Sequence, residues 1–408
     1  MVEQKRLKSE GVVMFKIENS LKKKMLVKKN TQPFDKNICN FFSDLSKTIL
    51  ENKNYLIYPD LLSFAFWVRK KNVENMYLKF KSNYIKKPLG LVFHITPNNV
   101  PINFAYSLFF GLITGNTNII KVSSKNFDQI DIICELIKKL LNKKKYQFLN
   151  QMIYFLRYDK KYKEITKQIS LNSNSRLIWG GDQTIKELRS IEVQPKNIDY
   201  VFPDRYSFSI INLDKLSRLN NENLNILINK FYTDVYTFDQ NACNSPHLII
   251  WFSQKKNYQI IEKFWKNFSI ILKKKKINYP DTVVTEKYNK ICSDVIKFSN
   301  IKSFKRYNKY LDVVTITELK GYNHLQRGSW GYFYQINSNN LDKLKNIITP
   351  KYQTLSYYGF DKKFFENFLS DNLQGIDRIV PIGRSLEMNY IWDGFNFFDC
   401  LTRTIDVK

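Results

Sequence analysis

The chain has 408 residues, enough for two or three domains around a full hydrophobic core, and its 43% apolar content excludes an intrinsically disordered protein. Lys and Arg number 65 against 37 Asp and Glu, a formal charge of +28. The lysines are spread among Asn and Ile along the whole chain with no nucleic-acid recognition motif, so the charge reads as a bias on solvated faces. Nucleic-acid binding is not expected, while steering of an acidic partner remains open.

Residues 1–40 are Lys- and Asn-rich and predict a frayed arm, and residues 1–16 are charged and without an apolar core, so no signal peptide is expected. A helix is expected near residues 34–52. Asp60 is placed to cap a second helix over 61–71, with a Lys-rich connector at 79–87. Residues 90–96, GLVFHIT, form a continuous apolar run, as in a strand covered on both faces. A turn at 97–101, PNNVP, leads to an apolar helix over 102–114 that stops at Gly115. A second strand at 118–122 completes a βαβ unit, whose strands should be parallel with a right-handed crossover. The alternation continues with helices at 128–141 and 160–169 and strands at 152–156 and 176–179. Gly180-Gly181-Asp182 then opens another helix. This pattern predicts a doubly wound parallel sheet. Beyond it, strands are expected at 207–212, 248–252 and 311–317. Helices are expected at 221–238, 256–274, 283–298 and 340–347, and segments 378–384 and 392–394 read as irregular. The longest apolar stretch, 100–115, is interrupted by Asn103 and falls short of the ~20 residues that span a bilayer.

Five cysteines stand at 39, 134, 243, 292 and 400, with no CxxC pair, which fits a reducing compartment and no disulfide framework. Three histidines without an HExxH or Cys/His cluster give no metal site, and His94 and His247 read as packing residues. Cys243 lies in a small polar loop, DQNACNSPH at 239–247, between a helix and an apolar strand. Small neighbours there leave room for a carbonyl at a nucleophile, although a buried, inert thiol is the common alternative. The turn holding Asn99 sits at the carboxyl end of a parallel strand, where open sheets bind ligands, and an Asn amide there can donate to an oxyanion. Asn and Pro are also ordinary turn formers. Lys121 ends the next strand, followed by Ser123 and Ser124 and no acid, which suits a ribose 2′-phosphate. Gly180 and Gly181 at a helix start would admit a pyrophosphate, though the spacing is not GxGxxG. No GxSxG, Walker loop or paired-carboxylate motif occurs, which leaves a cysteine as the candidate for covalent chemistry.

Six stretches occur in a telling order: GLVFHITPNNVP at 90–101, GLITGNTNIIKV at 111–122, IWGGD at 178–182, DQNACNSP at 239–246, RIVPIGR at 378–384 and WDG at 392–394. Over roughly residues 55–405 the chain resembles the aldehyde dehydrogenase superfamily, and more closely its fatty acyl-CoA reductase branch, the reductase subunit of the bacterial luminescence fatty acid reductase complex. The resemblance implies an α/β protein with two doubly wound domains, cofactor-binding and catalytic, and a small C-terminal oligomerisation segment. The boundaries expected are 1–83 for an N-terminal helical region, 84–206 for the NADP-binding domain, 207–378 for the catalytic domain and 379–408 for a returning C-terminal segment. It implies that Cys243 is the nucleophile, that Asn99 and the Cys243 N–H form the oxyanion hole, and that Pro97, Lys121, Ser124, Gly180 and Gly181 contact the cofactor. Ser124 falls where NAD-preferring relatives carry a glutamate.

Two departures stand out. The glutamate base of hydrolytic relatives has no counterpart in Val201-Phe202-Pro203-Asp204, which fits reduction rather than hydrolysis. Gly328 stands where many relatives place a glutamate for the nicotinamide ribose. The expected activity is NADPH-dependent reduction of a fatty acyl thioester, from CoA or a protein, to an aldehyde through S-acyl-Cys243. The alternatives are an aldehyde-oxidising dehydrogenase and a non-enzymatic binding module. The expected setting is a cytoplasmic homo-oligomer without a membrane span, partnered by an acyl-protein synthetase or an acyl carrier.

Overall fold

The computed structural model describes residues 29–408 apart from 82, 83, 256, 276, 278, 279, 371 and 372. Most of the N-terminal arm expected from the sequence lies outside the described residues. Two compact units emerge: the first runs up to Pro203 and takes in Met388–Lys408, and the second is Asp204–Glu387.

The first unit opens with α1 (Lys36–Glu51), started by Asp35, whose carboxylate accepts the N–H groups of Asn37 and Ile38. Its apolar stripe, Ile38, Phe41, Phe42, Leu45 and Ile49, is wholly buried. The single helix expected over 61–71 is replaced by two, α2 (Pro59–Trp67) and α3 (Lys70–Phe80). Asp60 is not the cap. Pro59 occupies the first helical position, which needs no N–H, and the buried Asp60 carboxylate accepts from Leu61 N at 2.9 Å and Gln129 Nε2 at 3.2 Å. α3 was hidden because only Val73 and Met76 of its Lys-rich stretch are buried.

The alternation expected over 90–182 then follows, with two strands the sequence reading lacked: residues 85–88 lie in the stretch read as a Lys-rich connector, and residues 198–202 had no expected element. It comprises β1 (Ile85–Pro88), β2 (Leu91–Ile95), α4 (Asn103–Ile113), β3 (Thr117–Lys121) and α5 (Asp128–Leu141). β4 (Ile153–Leu156), α6 (Lys163–Asn172), β5 (Ser175–Trp179), α7 (Asp182–Arg189) and β6 (Ile198–Phe202) complete it. Five strands form a parallel sheet in the order β4-β3-β2-β5-β6. All five residues of β2 are buried, which is why it reads as an unbroken apolar run. The chain winds from β2 outward to β4, then returns to place β5 on the other side of β2. The β2/β5 boundary is therefore the topological switch point, where open sheets hold ligands at their carboxyl ends.

The second unit contains β7 (Tyr206–Asn212), α8 (Leu213–Leu216), α9 (Asn221–Tyr236), β8 (Pro246–Phe252), α10 (Tyr258–Lys274) and α11 (Thr282–Lys297). It continues with β9 (Ile301–Asn308), β10 (Leu311–Ile316), β11 (Tyr332–Ser338), α12 (Asp342–Lys345), β12 (Tyr352–Tyr358), α13 (Lys362–Phe368) and β13 (Arg378–Pro381). Its seven-stranded sheet has the order β13-β12-β7-β8-β11-β10-β9, parallel except for β9 at one edge. One core side is aromatic: Phe231, Phe264, Trp265, Phe268 and Phe333 pack with Trp251. The indole N–H groups of Trp251 and Trp265 are both satisfied by Gln335 Oε1 at 2.8 Å. The helix expected over 340–347 is only the four-residue α12, and the stretch read as irregular at 378–384 contains β13.

The first unit closes with β14 (Ile391–Trp392), β15 (Phe395–Asn396), α14 (Phe397–Cys400) and β16 (Thr402–Ile405), which pairs antiparallel with β1. Segment 392–394 is not irregular either: Asp393 (φ 47°) and Gly394 (φ 77°) make the two-residue turn of the β14–β15 hairpin. Among the described residues no helix is long and apolar enough to cross a membrane.

Candidate functional site

The second unit presents Cys243 on a loop held by side chains rather than by regular structure. After α9 the chain reverses through two consecutive left-handed residues, Asp239 (φ 50°) and Gln240 (φ 63°). Neither is glycine, so each costs on the order of 1–2 kcal/mol. The Gln240 amide offsets this. Its Nε2 donates to the carbonyls of Pro246 (2.9 Å) and Tyr332 (3.1 Å). Its Oε1 accepts the N–H groups of Gly331 and Tyr332, both at 3.0 Å. Trp330 N donates to Asp239 O at 2.9 Å. The loop singled out in the sequence at 239–247 is thus locked to residues 330–332, just beyond Gly328. Gly331 (φ 75°) is obligatory, because a Cβ there would overlap the Tyr236 hydroxyl and the Tyr310 carbonyl.

Behind the cysteine, the Cys243 carbonyl accepts from Ser207 Oγ at 2.7 Å, and Ser245 Oγ donates to Asp234 O at 2.9 Å. The buried Asp234 carboxylate accepts Gly383 N (2.7 Å) and Ser385 N (2.9 Å). Asn244 Nδ2 donates to Ser385 O, to which Arg378 also donates at 2.6 Å. The segment 378–384, noticed in the sequence without a role, is therefore a brace for the loop. Burial lifts the Asp234 carboxyl to about 6 against the pull of these two N–H groups.

The half-buried Cys243 thiol donates to Asp204 Oδ1 at 3.3 Å. Arg327 bonds the other oxygen of the same carboxylate at 2.6 Å and also reaches the Arg205 carbonyl. Its guanidinium lies 5.8 Å from the Tyr206 ring, and Tyr206 stacks on His247 at 5.5 Å. His247 is buried and driven down to about 3, chiefly by burial and then by Arg327, so it is a neutral packing residue. His94 is likewise buried, held by Ser107 (2.7 Å) and Asn118 (3.0 Å), and lowered to about 4 by burial. The partner of the sulfur is thus a carboxylate rather than an imidazole. Burial first, and then the Asp204 charge, push the Cys243 thiol up to about 12. Asp204 entered the sequence reading only as part of a stretch lacking glutamate, and Arg327 was missed. A Pro-Asp pair at the end of a strand was the available signal for the first; nothing in the local sequence marks the second.

In the first unit the remaining candidates gather along one edge of the sheet. Pro97 and Asn99 follow β2, Lys121 ends β3 with Ser124 just beyond, and Gly180 and Gly181 follow β5. Thr96 ties two of these ends together, its N–H and hydroxyl both donating to Lys121 O at 3.2 and 2.9 Å. The Lys121 ammonium lies 5.0 Å from the Tyr158 ring, and burial and then the charge of Lys160 lower its pKa. The segment from Val122 to Lys125 carries no carboxylate, and Ser124 is exposed. Gly181 caps α7, and a Cβ on it would meet nothing within 4 Å. A cationic strand end, a serine turn and an open glycine at a helix start fit a phosphate-bearing dinucleotide.

The model of the Acyl-CoA reductase (LuxC) family matches residues 68–404. Among curated proteins none matches by sequence. Solved aldehyde dehydrogenases share the fold at low identity. The salicylaldehyde dehydrogenase of Pseudomonas putida G7 is 11% identical, with a TM-score of 0.64 over 92% of this chain and 86% of that one. Glyceraldehyde-3-phosphate dehydrogenase GapN of Methanocaldococcus jannaschii, solved with NADP, is 14% identical, with a TM-score of 0.61 over 91% and 88%. Aldehyde dehydrogenase 21 of Physcomitrella patens is 11% identical, with a TM-score of 0.63 over 90% and 85%. With the family model matched across most of its length, the chain belongs to the LuxC acyl-CoA reductase family and has the aldehyde dehydrogenase fold.

Proposed function

We propose that the chain reduces a fatty acyl thioester to the aldehyde with NADPH through an S-acyl intermediate on Cys243. The observation that carries this reading is the braced loop that presents a half-buried thiol beside a carboxylate already committed to Arg327. Burial alone would raise the Asp204 carboxyl, but the hydrogen bond and charge of Arg327, with the Cys243 hydrogen bond and the charge of Lys351, together leave it below its ordinary range. So placed, it is a poor base for water, and hydrolysis of an acyl–enzyme is disfavoured. The Cys243 sulfur takes the acyl group, and the donor leaves as a thiol carrying the proton that Cys243 gave up. The Asn99 amide and the Cys243 N–H are the proposed donors to the oxyanion. Pro97, Lys121, Ser124, Gly180 and Gly181 are the proposed cofactor contacts, with Lys121 and Ser124 favouring the 2′-phosphate of NADPH over NADH. NADPH, when bound, supplies the hydride for the acyl carbon. Expulsion of the Cys243 sulfur then releases the aldehyde. The acyl group comes from CoA or from an acylated partner protein, and a homo-oligomer in the cytoplasm is the proposed setting.

The test is aldehyde release from a long-chain acyl-CoA, with one thiol freed per aldehyde and NADPH preferred to NADH. Acid formation from an aldehyde and NADP⁺, with no aldehyde from the thioester, would overturn the assignment in favour of an oxidising dehydrogenase.

A further inference from the structure

The Cys243 sulfur lies among groups of opposite sign. Asp204 Oδ1 is its acceptor at 3.3 Å, Arg327 grips the far oxygen of that carboxylate at 2.6 Å, and the Arg205 backbone N–H favours the thiolate. A carboxylate facing a thiol has two roles of opposite consequence. It can take the proton, or its charge can keep the proton on sulfur. The hydrogen bonds decide between them: the thiol donates to one carboxylate oxygen, and Arg327 already holds the other. The thiol is raised to about 12, while Arg327 holds the carboxyl below its ordinary 3.8. A base so placed does not activate its neighbour.

We propose that Asp204 and Arg327 form a latch on the nucleophile. Beyond the burial of the sulfur, the charge of the carboxylate keeps Cys243 in its unreactive thiol form. Arg327 and the Arg205 N–H are the surroundings in which the thiolate is stabilised once that carboxylate turns away. Asp204 and Arg327 are thus positioning residues, acting on the acyl group only through Cys243. This deepens the reading of Cys243 as the nucleophile and rests on it. The other charges nearby do not supply the effect. His247 is buried and neutral, the Arg205 side chain is paired with Asp377, and Lys351 acts on Asp204 in the same sense as Arg327. An acyl donor reaching the sulfur has to displace the carboxylate first, so the free thiol is guarded until the substrate arrives.

The experiment is alkylation of the full chain by iodoacetamide between about pH 6 and about pH 9, with the adduct on Cys243 quantified by peptide mass spectrometry. The exposed Cys292 serves as an internal standard. In the wild type the Cys243 rate should climb about tenfold per pH unit without a plateau; a plateau within this range would overturn the latch. Asp204→Asn should alkylate at least about tenfold faster at each pH, since one like charge at this distance is worth 1–3 pH units. Arg327→Gln should alkylate about tenfold slower. Both substitutions break the same ion pair, so a merely loosened loop would move both rates in one direction. A fall in rate for Asp204→Asn would make Asp204 a general base and overturn the latch, as would parallel changes in the two variants. If Asp204→Asn does not accumulate folded, Asp204→Ser takes its place, with the same expected rise in rate and the same refutation by a fall. Iodoacetamide needs neither acyl donor nor cofactor. A chain that alkylates as expected but accepts no acyl group would keep the latch and lose the reaction.

Discussion

Replacing Gln240 tests whether the nucleophile loop is held by one side chain. The amide makes four hydrogen bonds, to Pro246 O, Tyr332 O, Gly331 N and Tyr332 N, and the residue is 1% exposed. At about 1 kcal/mol each, and with four backbone groups left without this partner, Gln240→Ala should cost about 3–5 kcal/mol. That is a large fraction of the roughly 5–15 kcal/mol by which a domain is stable. The left-handed backbone at φ 63° is unchanged by this substitution, because alanine keeps a Cβ. Gln240→Gly removes the same bonds and also relieves the steric penalty of that conformation, about 1–2 kcal/mol. Glycine should therefore destabilise less than alanine, the reverse of the usual order in regular structure. Guanidinium unfolding followed by tryptophan fluorescence measures both. A cost below about 0.5 kcal/mol for alanine, or a glycine variant weaker than the alanine one, would refute the reasoning.

Gly331→Ala should leave little folded protein in thermal melts, because its Cβ has no room beside Tyr236 and Tyr310; a near-wild-type melt would contradict the packing. Lys287 is buried, donates to Lys309 O (3.2 Å) and Trp330 O (3.1 Å), and is lowered by burial to about 8 from 10.5. In that window the unfolded chain binds the proton more tightly, so this group makes stability rise between about pH 8 and about pH 10.5, and Lys287→Met should remove that rise. An unchanged pH–stability curve in the variant would show that Lys287 is not its source. Asn99→Ala should lower aldehyde formation by about 10²–10³, as for one lost oxyanion donor, and unchanged turnover would remove Asn99 from the mechanism. Ser124→Glu should raise the KM for NADPH by placing a carboxylate near the proposed 2′-phosphate; an unchanged KM would move the cofactor site elsewhere.

What was legible in the sequence follows from burial. β2, β5 and β8 are covered on both faces and announce themselves as apolar runs. β9 is not, because Lys302–Arg306 are all exposed at the sheet edge and the strand carries no alternation. β11 and β12 mix tyrosines with polar residues, half-buried in β11 and buried in β12 between neighbouring strands, an environment no local pattern displays. The Asp393-Gly394 hairpin turn was readable and was passed over. In the site, the 239–247 loop carried its own signal, since small and polar residues cluster round Cys243 there. Asp204 and Arg327 did not, because what they do is set by contacts with residues 39 and more positions away in the chain. A lone Arg in a chain with 65 Lys and Arg has no sequence mark at all.

The most direct test of the account is the intact mass of the purified chain after mixing with a long-chain acyl-CoA, before and after adding NADPH. The account predicts a mass gain of one acyl group, mapped to Cys243 and absent in Cys243→Ala, that disappears with NADPH as aldehyde forms. An acyl adduct that persists with NADPH, or aldehyde released by Cys243→Ala, would contradict it.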